Sequence, residues 1–131
     1  MVKRSKTKEI RFKSWAREES ILKFLNKIFL DAFKEQARKI SFQIHGDHFV
    51  IKTLVNDDWE RVLLAPKRLH RKVLMRIKHL AYLDFFRSDI DQNGEFTHRI
   101  VKTLLKVKVD IEPTAQGEKA VLSISRLRKK R

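Results

Sequence analysis

The sequence lacks cysteine altogether, contains only three glycines and two prolines, and has no long apolar run. The absence of cysteine excludes disulfides, cysteine-ligated zinc, iron–sulfur clusters and a cysteine nucleophile. The glycines Gly46, Gly94 and Gly117 are too far apart to form a Walker A loop or a G-x-G-x-x-G loop. No apolar run approaches the ~18–20 residues of a membrane helix, and the N-terminus does not resemble a signal peptide. We therefore expect a cytoplasmic protein.

The chain does contain enough apolar side chains for a packed interior. Its 131 residues are 42% hydrophobic and 36% charged, and a chain of this length normally forms a single domain. We expect one modest core and no second folded unit.

The net charge of +15 is concentrated at the two ends of the chain. Residues 1–17 contribute +6 and residues 126–131 contribute +5, so the balance over residues 18–125 is only +4. We interpret the ends as basic tails, which are either ordered or disordered, around a domain spanning 18–125. Such tails bind DNA, RNA or anionic lipid, or they simply increase solubility.

The first half of the sequence predicts one helix followed by three strands. Apolar residues spaced by three and four from Ile21 to Ala37 predict an amphipathic helix over about 17–38. Alternation then predicts strands over 40–44, 49–55 and 59–64, and the short polar turns between them favour an antiparallel meander.

The second half predicts another helix and two or three further strands. Pro66 suits a first helical position, and the following apolar residues keep helical spacing, whereas Arg76, Lys78 and other basic residues are assigned to an exposed cationic face. Residues 84–94 are predicted to be a loop. Residues 96–111 favour a hairpin, although their apolar spacing would also suit a helix, and 120–124 predict a final strand. The predicted fold is an α+β antiparallel sheet of five or six strands with two main helices, in the order helix-strand-strand-strand-helix-strand-strand-strand.

Residues capable of chemistry occur, but they form no convincing catalytic or metal site. His45, Asp47 and His48 could ligate a metal, yet they crowd one turn that is more simply a solvated hairpin. The serines have no nucleophile elbow or base motif around them, and the carboxylate pairs fall in polar turns. We therefore predict no catalytic residue, no cofactor and no metal.

Several segments, in order and spacing, resemble the domain that precedes the motor in type II secretion and type IV pilus assembly ATPases. Together with the predicted helix from Ile21 to Ala37 and the strand Ile40-Ser41-Phe42, which match that domain's entry helix and first strand, they cover about residues 20–125, and no single segment is decisive. These segments are Leu64-Ala65-Pro66-Lys67-Arg68-Leu69-His70, Arg76-Ile77-Lys78, Leu83-Asp84, Gln92-Asn93-Gly94, and the run from Pro113 to Leu122.

The resemblance implies a PAS-like fold that packs beside a RecA-like motor in a hexamer. It also implies arginines that assist the nucleotide site at the positions of Glu95 and Lys108. At position 95, glutamate carries the opposite charge to the family's arginine. At position 108, lysine supplies only a point charge, whereas arginine donates two hydrogen bonds to a phosphate. The family's Asp-Ile-His strand signature is replaced by Lys39-Ile40-Ser41. The sequence thus resembles a stand-alone relative, without a motor, that has shed its ATP-linked residues.

Our prediction from sequence is a non-enzymatic domain that docks on a secretion or pilus ATPase assembly. The alternative is a small nucleic-acid-binding protein that uses its basic tails; a tethered scaffold or a fragment of a longer chain also fits. The predicted partner-interface residues are Pro66, Lys67, Arg68, Arg76, Lys108, Glu118 and Lys119.

Overall fold

The computed structural model describes residues 6–9 and 18–127 of the chain, which form one sheet and two α-helices. In chain order the elements are β1 (Lys6–Glu9), α1 (Glu18–Lys34), β2 (Lys39–His45), β3 (His48–Val55), β4 (Asp58–Pro66), a 3-10 helix (Lys67–Leu69), α2 (His70–Leu80), β5 (Gln92–Ile100), β6 (Thr103–Thr114) and β7 (Gly117–Arg126). The seven strands lie in the order β1-β4-β3-β2-β7-β6-β5. Strand β1 pairs with β4 in parallel, and the other neighbouring strands are antiparallel.

The two faces of the sheet differ because the side chains of each strand alternate between them. In β2, Ile40, Phe42 and Ile44 face the buried core that the strands share with α1 and α2, whereas Ser41 and Gln43 face the other way. We call these the covered face and the helix-free face, the latter because neither helix described in residues 18–127 packs against it. The apolar residues of the alternating sequence pattern are therefore the ones that pack against the helices.

Helix α1 ends at Lys34, four residues before the predicted end. Gln36 adopts a left-handed conformation, with φ of 58°, and the amide of Ala37 donates to the Ala32 carbonyl over 2.8 Å. These features terminate the helix and return the chain to the sheet, where β2 begins at Lys39. The apolar spacing continued past the helix because Ala37 is buried as part of this turn.

The predicted helical position of Pro66 is wrong. Pro66 is the last residue of β4 and lies opposite His48 of β3. Its φ of −59° and ψ of 135° are extended, and because proline fixes φ alone, its ring is compatible with a strand end as well as with a helix start. Lys67–Leu69 form a 3-10 turn, and α2 begins only at His70.

The α+β class and the order of elements are confirmed. The sheet has seven strands rather than five or six, because residues 6–9 form β1 within the segment interpreted as a basic tail. The hairpin prediction for 96–111 is confirmed by the pairing of β5 with β6, although β5 begins at Gln92, inside the predicted loop. Residues 1–5, 10–17 and 128–131 of the two basic tails lie outside the described residues. Among the described helices, none is long and apolar enough to cross a membrane.

Candidate docking surface

The start of α2 presents a cationic edge next to the end of β4. Lys67 and Arg68 of the 3-10 helix are exposed, Pro66 before them is partly exposed, and no acidic residue lies in this turn. Arg76 lies further along α2 and is partly buried. This edge is positioned by Leu69, which is buried in the core and fixes the turn from which the two basic side chains project.

Glu118, at the beginning of β7, connects α2 to the sheet through a hydrogen bond and an ion pair. Nε2 of His70 donates to the Glu118 backbone carbonyl over 2.7 Å. About two turns of helix further on, Nζ of Lys78 lies 2.8 Å and 2.7 Å from the two carboxylate oxygens of the Glu118 side chain. The carboxylate is only 11% exposed, so within this domain Glu118 serves as an anchor for the helix.

Lys78 is buried, which corrects its assignment to the exposed cationic face of α2. Its side chain is 2% exposed, and its ammonium group also donates to the Arg87 carbonyl over 2.7 Å. Burial of a charge is tolerated only when such partners compensate for the lost water. The helical spacing indicates that Lys78 lies on the apolar face of α2, because it follows Leu74 by four residues and precedes Ala81 by three.

The surroundings of His70 favour its neutral form. Its ring is half-buried and packs edge-on against Phe49, with 5.3 Å between the ring centroids. Burial lowers the pKa of His70, and the nearby Glu118 opposes that shift in part. The hydrogen bond to the Glu118 carbonyl requires a proton on Nε2, so Nδ1 is unprotonated in the neutral ring.

Lys108 and Lys119 lie on the helix-free face, on the opposite side of the sheet from α2. Lys108 of β6 is exposed and pairs directly with Glu95 of β5. Glu95 in turn forms an ion pair with Lys106, with 3.3 Å between the charged atoms. Lys119 pairs across the strands with Glu112. Glu95 and Lys108, where the resemblance implies arginines, are thus cross-strand neighbours, and Glu95 is the one that forms an ion pair with Lys106.

The structure divides the predicted interface residues between two faces. Arg76 lies on α2, and Glu118 of β7 lies against that helix. Pro66, Lys67 and Arg68 lie directly before α2 in the chain, whereas Lys108 and Lys119 lie on the helix-free face. His45, Asp47 and His48 lie at the β2–β3 hairpin; over residues 6–9 and 18–127 no three histidine, aspartate or glutamate side chains are grouped to hold a metal.

Comparison with known proteins identifies the family. Residues 15–131 match the family model described as type II/IV secretion system protein. The chain is 30% identical over 104 residues to the type II secretion system protein E of Klebsiella pneumoniae, covering 79% of this chain and 21% of that protein. It is 25% identical over 108 residues to the type IV pilus assembly ATPase PilB of Acinetobacter baylyi, covering 82% of this chain and 19% of PilB. The chain spans about a fifth of the length of these curated relatives. It belongs to the type II/IV secretion system protein family.

Proposed function

We propose that this chain is a non-catalytic docking domain that binds a secretion or pilus assembly ATPase in the cytoplasm. The observation that carries the proposal is the Glu95–Lys108 pair. In this chain the two positions linked to a nucleotide site by the family resemblance hold opposite charges on adjacent strands. Such a pair offers no bidentate phosphate recognition, while the surrounding fold is retained.

The cationic edge formed by Lys67 and Arg68 is the proposed contact with the ATPase. Both side chains are exposed at a turn whose backbone is fixed by buried Leu69. A rigid cationic edge attracts an acidic protein surface and fixes its orientation. Arg76, on the α2 helix that follows, extends this edge, and Glu118 supports it by anchoring α2. Lys108 and Lys119 would form a second contact on the helix-free face.

The test is calorimetric titration of the chain with the purified secretion or pilus ATPase of its own host. We expect saturable binding that weakens about tenfold or more in the Lys67→Ala/Arg68→Ala double variant, a loss of about 1.4 kcal/mol. The matched control is Lys23→Ala/Lys34→Ala, which removes two exposed lysines from α1 and should bind as the wild-type chain does.

Two outcomes would overturn the proposal. Equal binding by a folded Lys67→Ala/Arg68→Ala variant would reject the cationic edge as the contact. Binding of RNA or DNA in place of the ATPase, with affinity falling by orders of magnitude between about 50 and 200 mM salt, would indicate nucleic-acid binding instead. The tail variant for that arm replaces lysine and arginine by glutamine at 3, 4 and 128–131, because deleting residues 1–17 would also remove β1.

A further inference from the structure

The two edge strands of the sheet differ in length. β1 has four residues, whereas β5 has nine, from Gln92 to Ile100. On its inner side β5 pairs with β6 in unbroken register. On its outer side, no strand described in residues 6–9 and 18–127 pairs with it. The outer edge of β5 therefore presents backbone amide and carbonyl groups that have no strand partner in this part of the chain.

The outer edge of β5 lacks the usual backbone protection against strand addition. Short length, proline and bulges are the common devices, and β5 has none of the three. The segment before β5 is tied to its first residue, because the Gln92 side chain exchanges two hydrogen bonds of 2.8 Å with the backbone of Asp84. The remainder of the strand, from Glu95 onward, is regular and suited to pairing with another extended chain.

The side chains of β5 make this edge selective. Charged residues discourage indiscriminate pairing of an edge, and β5 carries two of opposite sign, Glu95 and Arg99, both exposed on the helix-free face. Within the described ranges Arg99 forms no ion pair or hydrogen bond. Oε2 of Glu95 lies 3.3 Å from Lys106, but the Glu95 side chain remains 57% exposed in that contact. Both charges are therefore available to a strand that brings the opposite sign to each.

The covered side of β5 is aromatic along the same stretch. Phe96 and His98 are half-buried, and both rings contact Phe29 of α1, with centroid distances of 6.1 Å and 4.7 Å. α1 therefore supports the two rings while each residue remains partly exposed. Aromatic pairs across neighbouring strands stabilise a sheet, so the strand that suits this side also carries aromatic residues.

One register of antiparallel pairing between two copies of β5 supplies these opposite charges. When the two-fold axis passes through Thr97, Glu95 of each copy lies opposite Arg99 of the other. A shift of the axis by one residue places Glu95 opposite Thr97 or Val101, and a shift by two places like charges opposite each other. Opposite charges directly across two strands attract, whereas like charges repel. The sequence of β5 is therefore complementary to itself in a single register.

We propose that two copies of the chain pair through the outer edges of β5, antiparallel and centred on Thr97. Two Glu95–Arg99 pairs then form on the helix-free face, and on the covered face each Phe96 lies opposite His98. Because both copies use the same surface, the contact is isologous and closes at a dimer. It joins the two sheets into one and removes the unpaired edge. This inference goes beyond the proposed docking on an ATPase and does not depend on it.

The first test is sedimentation velocity of the full chain over a concentration series up to about 1 mM. We expect a monomer–dimer equilibrium and no larger species. Glu95→Arg and Arg99→Glu should each weaken it at least ~10-fold, because either change converts two attractive pairs into two repulsive ones. The matched control Lys39→Glu reverses one exposed charge on the helix-free face of β2 and should dimerise as the wild-type chain does. Circular dichroism establishes that each variant is folded.

Mixing the two charge variants tests the register. The Glu95→Arg copy is positive at both 95 and 99, and the Arg99→Glu copy is negative at both, so every opposed pair in a mixed dimer is attractive. The mixture should therefore form a one-to-one dimer at a concentration where each variant alone is monomeric.

A single cysteine tests whether the contact is centred on Thr97. The chain contains no cysteine, so Thr97→Cys introduces one thiol per copy. Residues directly opposite in an antiparallel pair have Cα atoms ~4.5–5.5 Å apart, within the range that a disulfide spans. Oxidation with copper phenanthroline should give a covalent dimer from Thr97→Cys but not from the control Lys108→Cys, which is exposed on the same face of β6.

A wild-type chain that stays monomeric would overturn the proposal, as would a mixture that remains monomeric or equal cross-linking of Thr97→Cys and Lys108→Cys. The chain with glutamine at 3, 4 and 128–131 should dimerise as the wild type does. Loss of its dimer would assign the contact to the basic tails and would overturn pairing through β5.

Discussion

The two faces of the sheet follow different physical rules although they are built from the same strands. The covered face holds Phe42, Ile51, Val107 and Leu122, all of them inaccessible to solvent or nearly so, together with the buried Lys78–Glu118 ion pair nearby. The helix-free face carries Lys106, Lys108, Lys119 and their acidic neighbours. On β6 and β7, adjacent residues therefore differ in exposure, whereas Ser41 and Val50 on the helix-free face of β2 and β3 are buried as well.

Neighbouring residues of β2 give the largest expected contrast. Phe42→Ala removes a fully buried ring and should lower the free energy of unfolding by about 3–5 kcal/mol. Gln43→Ala, one residue along on the helix-free face, should change it by no more than about 0.5 kcal/mol. Urea denaturation at equilibrium measures both. Similar losses for the two variants would mean that the Gln43 side chain contributes to packing as much as the Phe42 ring does.

Breaking the buried Lys78–Glu118 ion pair should lower the free energy of unfolding nearly as much as Phe42→Ala does. Glu118→Gln leaves the Lys78 ammonium buried without its countercharge, and we expect a loss of about 3 kcal/mol in the free energy of unfolding. The double variant Lys78→Met/Glu118→Leu should recover most of that loss, because it removes both charges together. If the single variant is as stable as the wild-type chain, Lys78 does not depend on Glu118.

The covered face should also be sensitive to one added methyl group. A Cβ on Gly94 would lie 2.8 Å from the Ala81 carbonyl oxygen at the end of α2, so Gly94→Ala should cost about 1–3 kcal/mol by overpacking. Asn93→Ala, next to it on the helix-free face, should be nearly neutral. Thermal unfolding of the two variants checks this difference, and equal melting temperatures would contradict it.

The smallest effect expected is a pH dependence from two histidines that face the covered side. Burial lowers the pKa of both His70 and His98, so the folded state prefers the neutral rings. Their contribution to stability is complete above the ordinary histidine pKa of about 6.5 and is lost as pH falls through the lowered values. The urea midpoint should therefore decrease from pH 7.5 to pH 5. His70→Gln/His98→Gln should flatten that decrease, and an unchanged slope would assign it to other groups.

The strands and helices were largely predictable because their signals are local. Alternation in 40–44 and helical spacing from Ile21 identified elements whose side chains are now seen in the core. Residues Lys6–Glu9 were not recognised as a strand because a four-residue basic segment carries no alternation, and its pairing with β4 is settled by residues far along the chain. Pro66 was misassigned because its fixed φ is compatible with either structure.

The candidate docking surface was less predictable because it depends on which residues meet across the sheet. The sequence separates Glu95 from Lys108 by a turn, and only the strand register shows that they are neighbours. The same is true of Lys78 and Glu118, which are forty residues apart. Phe86 lies in the segment predicted to be a loop, but that prediction does not specify whether its side chain is exposed, and only the structure shows that it is.

The central claim, that this chain retains the family's fold for docking rather than for ATP chemistry, is tested most directly by one pair of titrations. In the calorimeter the chain is titrated with its host's purified secretion or pilus ATPase, and separately with magnesium ATP. The account predicts saturable binding of the ATPase, weakened by Lys67→Ala/Arg68→Ala, and no heat of binding with ATP. Saturable binding of ATP by the chain alone, with none to the ATPase, would contradict it.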